Sequence, residues 1–94
     1  MTIEEKLELL GYKVEYKTCI LSNIIDVGYV KETKYISLYI TMRSGQIVGG
    51  VINYFKDIEK QEQIDNLQIA YNILKSDLKE LGYGRWRKIR IIRL

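Results

Sequence analysis

The segment from Tyr83 to Leu94, YGRWRKIRIIRL, carries five basic side chains, Arg85, Arg87, Lys88, Arg90 and Arg93, and no acid. Guanidinium forks match phosphate oxygens in two-point contacts, and the interleaved Tyr83 and Trp86 offer flat faces on which bases stack. Neutralising a phosphate backbone and stacking its bases needs this mixture of residue types. The same letters also describe an edge strand. Ile89, Ile91 and Ile92 would then face the core, and the arginines would stay outside as a guard against edge-to-edge association. In an extended chain Arg85, Arg87 and Arg93 share one side and Lys88 and Arg90 the other. Such a split suits a single-stranded or flexible nucleic acid better than one rigid groove.

The rest of the chain holds ten basic and twelve acidic residues, so a near-neutral body ends in a basic tail. Histidine is absent and there is one cysteine, Cys19, which excludes a Cys/His zinc site within one chain and the commonest general base. Asp26, Glu32 and Lys34 have the letters of a metal-dependent nuclease, which needs two carboxylates on a metal and a lysine near the nucleophile. Glu32 and Lys34 fall in an expected polar turn, Lys31 to Lys34, away from Asp26. No catalytic constellation, metal or cofactor is therefore expected. Cys19 lacks a histidine partner and reads as a small packing residue. Tyr35 and Tyr39 share one face of a strand, beside Lys13 and Lys17 on another. They form either a stacking platform or ordinary cross-strand pairs.

These residues need a scaffold, and its centre is the stretch 57–81. Ile64, Leu67, Tyr71, Leu74, Leu78 and Leu81 recur at spacings of three and four, predicting one long helix with Asp57 as N-cap and Gly82 as stop. Ile58, Ile69 and Ile73 form a second apolar stripe, covered by the chain itself or offered to a second copy or another protein. Thr2 and Glu5 make a capping box for a short first helix ending at Gly11, with Ile3, Leu7 and Leu10 on one face. Leu-Gly-Tyr closes both helices, at 10–12 and 81–83.

Between them lie four extended segments: Lys13 to Ile20, Ile24 to Val30, Tyr35 to Met42 and Gln46 to Asn53. On the first, Val14, Tyr16 and Ile20 are expected to share a face. On the third, Ile36, Leu38, Ile40 and Met42 point one way. Gly49-Gly50 predicts a bulge or a close backbone approach. The order is α-β-β-β-(β)-α-β: a single α+β domain over 1–94, an antiparallel meander covered on one face by two helices, with a β-rich basic tail over 83–94. Two known folds have nearby orders. The double-stranded-RNA-binding domain starts its second helix with lysines, where this chain has Asp57-Ile58-Glu59-Lys60. The restriction-nuclease-like core carries Glu-x-Lys on its third strand, where this chain has none. The chain is assigned to neither.

No apolar run is long enough for a membrane span, and the acidic start MTIEEKLELL is unlike a signal peptide. With one cysteine, the cytoplasm is the expected compartment. The richness in Ile, Lys and Tyr suits an AT-rich genome, including a phage or other mobile element. The resulting expectation is a small non-enzymatic binding or regulatory protein that contacts nucleic acid, or a nucleic-acid–protein complex, through its C-terminus. A protein-directed inhibitor or homodimeric adaptor using the second helix stripe is the alternative, and a reduced nuclease a distant third.

Overall fold

The computed structural model describes residues 1–21, 24–32, 36–54, 60–83 and 89–93, the side chains at 20, 21, 60–64 and 93 excepted. The expectations placed on Asp57, Ile58, Thr33, Lys34, Tyr35, Arg85, Trp86, Arg87 and Lys88, and on the side chains of Ile20, Ile64 and Arg93, lie outside these residues.

Thr2 caps α1 (Ile3–Leu9): its hydroxyl accepts from the Glu5 amide at 3.1 Å and donates to the Glu5 carboxylate at 3.2 Å. The two Leu-Gly-Tyr stops work identically. Gly11 and Gly82 take φ of +97° and +82°, a left-handed conformation that costs glycine least. The Gly11 amide then donates to Glu8 O and the Tyr12 amide to Leu7 O; the Gly82 amide donates to Lys79 O and the Tyr83 amide to Leu78 O. This is the paired Schellman pattern, and Tyr12 and Tyr83, the residues after the two glycines, both pack in or against the core that holds Leu7 and Leu78.

Five strands follow the order β1 (Lys13–Leu21), β2 (Ile24–Glu32), β3 (Ile36–Arg43), β4 (Gln46–Tyr54), β5 (Ile89–Arg93) across one sheet. The first four form the antiparallel meander. Ser44 and Gly45, both at positive φ, make the two-residue β3–β4 turn. The tail strand instead joins β4 in parallel, because α2 (Lys60–Glu80) carries the chain back across the sheet first. Lys31 and Glu32 belong to β2 and not to a turn, since β2 stays paired with β3 as far as Ser37.

Both helices cover the same face. Leu38, Ile40 and Ile52 of the sheet, Leu7 of α1 and Leu74 and Leu78 of α2 are fully buried there. Leu81 is buried as well, and Leu67 and Tyr71 pack at the margin. Gly50 permits the close approach: a Cβ there would lie 3.1 Å from Leu74 Cδ2. The predicted bulge sits beside it. Thr41 pairs with Gly49 and Met42 with Ile47, leaving Val48 as the extra residue.

Among the described residues, one charged side chain is buried in this core. Asp77, 7% exposed, accepts from Tyr12 Oη at 2.7 Å and from Lys31 Nζ at 3.2 Å, and the ammonium also lies 5.3 Å from the centre of the Tyr12 ring. Burial, then the bond to Asp77, pushes the Tyr12 hydroxyl pKa far up. The cluster ties α2 to the end of α1 and to β2.

Candidate nucleic-acid interface

The opposite face of the sheet carries neither helix. Register assigns its side chains in rows, because paired residues project to the same side. One row runs Tyr16, Gly28, Thr41, Gly49 and the next Lys13, Val30, Tyr39, Val51, Arg90. Asp26 and Arg43 pair on one flank of these rows, Ser37, Asn53 and Ile92 on the other.

Tyr16 is on this face because of a second irregularity. Val14 pairs with Tyr29 and Tyr16 with Gly28, so Glu15 is an extra residue that reverses the alternation. The expectation that Val14 and Tyr16 share a face is thereby corrected. Lys13 and Lys17 are also separated: Lys17 pairs with Val27, whose own partner Met42 faces the core. The Tyr16 ring lies directly over Gly28, in the space any Cβ would take. Tyr39 donates to Glu15 Oε1 at 3.3 Å. Its hydroxyl pKa is raised, first by burial and then by this carboxylate, while Asn53 acts in the opposite direction.

Arg43 grips Asp26 with two bonds, Nε to Oδ1 at 2.8 Å and Nη2 to Oδ2 at 3.1 Å. The guanidinium holds the Asp26 carboxyl below the usual carboxylate range. Asp26 and Glu32 both lie on β2 and face the same way, but six residues of extended chain put them about 20 Å apart. They do not converge.

Beyond Thr41 the face dips into an open concavity of about 640 Å³ between β3, β4 and β5. Arg43 and Arg90 line it, with Thr41, Gly49, Gly50 and Val51 among the residues between them. Arg90 is exposed and has no carboxylate partner among the described residues. Of the basic tail, then, the described part places Arg90 on the open face, while the Arg93 backbone pairs with Tyr54. Ile89 packs on the core, but Ile91 and Ile92 stay exposed at the sheet edge.

Tyr83 is used differently from Arg90. It packs on the core at the α2 stop, and its hydroxyl donates to Val48 O at 3.5 Å. On the second stripe of α2, Ile69 is 57% exposed, whereas Ile73 packs against the core. That Arg43 and the Thr41–Gly49 floor line one concavity with Arg90, and that Tyr16 shares their face of the sheet, was not foreseen from the sequence. Gly28 and Gly49 were the available signal, since each flanks Thr41 in the same row.

No protein-family model matches the chain, and neither does any curated protein or solved structure. Among the described residues, no helix is long and apolar enough to cross a membrane.

Proposed function

We propose that this chain is a small non-enzymatic binding protein of the cytoplasm that holds single-stranded or otherwise flexible nucleic acid on its open sheet face and basic C-terminal strand. The observation that carries the reading is the placement of Arg90. The terminal strand projects this arginine onto the same helix-free face as Tyr16, Tyr39 and Arg43. Tyrosine rings on an uncovered sheet can stack bases, at about 1–3 kcal/mol per base, and arginines can hold the phosphates between them. Tyr16 is 43% exposed, which leaves ring surface for such a contact.

Binding of this kind is salt-sensitive and tolerant of sequence. Engaging about three to five phosphates gives a log–log salt slope of about −2 to −4 on single strands. Fluorescence anisotropy with labelled DNA and RNA oligonucleotides tests this. Wild type should bind at low salt, and Arg87→Glu combined with Arg90→Glu should abolish binding with helix content unchanged. No binding at low salt, or binding that survives both charge reversals, would leave the basic strand a solubility device.

A protein-partner reading rests on the exposed Ile69. It would take first place after that result, with light scattering of wild type against Ile69→Glu as its test.

A further inference from the structure

We propose that the concavity between β3, β4 and β5 is a subsite for a short stretch of a single-stranded nucleic acid, with Arg43 and Arg90 taking phosphates at its two ends. The inference rests on the nucleic-acid reading above and assigns its position.

One row of the sheet leads to this spot. Thr41 has a glycine on each side, Gly28 on β2 and Gly49 on β4. Over Gly28 the space is filled by the Tyr16 ring. Beside Gly49 lies the concavity, and its volume of about 640 Å³ falls within the range of small-ligand sites, about 300–1,000 Å³. The β4 bulge helps to shape it, since Val48 and Gly49 both belong to the lining. The missing side chain at Gly50 has its own explanation in the approach of Leu74 from the other face. Peptide planes and the Val51 side chain give a base a flat, partly apolar floor, and the Thr41 hydroxyl offers one donor and one acceptor.

Charge marks the two ends. Arg43 pairs with Gln46 and Arg90 with Val51, so the bulged β4 segment between them gives about 13 Å along the strand, with about 10 Å across two strands. A strand crossing the concavity obliquely meets one guanidinium on entering and the other on leaving. Asp26 occupies Nε and Nη2 of Arg43, which fixes the fork and leaves Nη1 for a ligand. Arg90 has no such constraint among the described residues.

The test varies charge at one point on the floor. Wild type, Thr41→Glu, Thr41→Lys and Ser76→Glu are titrated by anisotropy against labelled oligothymidylate and oligouridylate of about twelve nucleotides, within the span of known single-strand sites. Ser76 is exposed on α2, so Ser76→Glu makes the same charge change on the helix side. Thr41→Glu should weaken binding at least tenfold, Thr41→Lys should strengthen it several-fold, and Ser76→Glu should change it less than twofold. Thr41→Lys keeps the test decisive if Thr41→Glu unfolds. If wild type binds but Thr41→Lys gives no gain, or Thr41→Glu in folded form binds like Ser76→Glu, the subsite is wrong and the nucleic-acid reading stands. If wild type binds neither oligonucleotide, that reading itself falls.

Discussion

The two faces of one sheet follow different rules. On the covered face, β3 contributes Ile36, Leu38, Ile40 and Met42, all buried, and two helices close over them. On the other face the same strand contributes Ser37, Tyr39, Thr41 and Arg43, which neither of the two described helices covers. Even the glycines differ in purpose. Gly50 lets Leu74 reach the sheet, whereas Gly28 accommodates a tyrosine ring and Gly49 borders an open hollow. The covered face is therefore where stability is concentrated, and on the proposed function the open face is where a ligand would feel substitutions.

Substitutions can break this division, and the largest effect belongs to the core. Leu74→Ala should cost about 2–5 kcal/mol in denaturant unfolding, because the side chain is fully buried between α2 and the sheet. A loss below about 0.5 kcal/mol would place that face in solvent. Asp77→Ala comes next. It leaves the buried Tyr12 hydroxyl without its acceptor and strips Lys31 of its carboxylate, for about 1–3 kcal/mol. Lys31 keeps some solvent access, which limits the effect, and Lys31→Met should therefore cost less than Asp77→Ala.

On the open face the expected stability changes are smaller. Gly28→Ala must displace the Tyr16 ring, but that ring is at an edge strand and can swing outward. The loss should stay within about 1 kcal/mol, while Tyr16 fluorescence and oligonucleotide affinity change. The smallest effect concerns pH. Asp26 is held below its ordinary value by Arg43, so its pairing stabilises the fold above about pH 4 and is lost as pH falls through the depressed folded value. Arg43→Ala should return the Asp26 carboxyl toward the ordinary range in an NMR titration. It should shift the melting temperature little, because the Arg43 side chain is half exposed to solvent.

The covered face was far more legible in sequence than the open one. Helical spacing identified Leu74, Leu78 and Leu81, and strict alternation identified the buried side of β3, since each signal repeats over several turns or pairs. Both Leu-Gly-Tyr stops were readable because the left-handed position favours glycine. Asp77 was not, as a lone carboxylate on a helix looks solvated until its tyrosine and lysine partners, distant in sequence, are brought to it. The open face depends on single-residue events. One extra residue at Glu15 moves Tyr16 across the sheet, and one at Val48 helps to open the hollow. Alternation carries no mark of where such a residue is inserted. The parallel docking of β5, which puts Arg90 beside Val51, likewise follows from the path of α2 and not from the letters of the tail.

The central claim is that the two faces divide labour, with the ligand on the open one. The most direct measurement is a backbone-amide NMR titration with a single-stranded oligonucleotide. Shifts concentrated at Tyr16, Tyr39, Thr41, Gly49 and Arg90, with α2 amides from Ile69 to Lys79 unmoved, are the predicted result. Shifts concentrated on α2, or none at all at low salt, would contradict it.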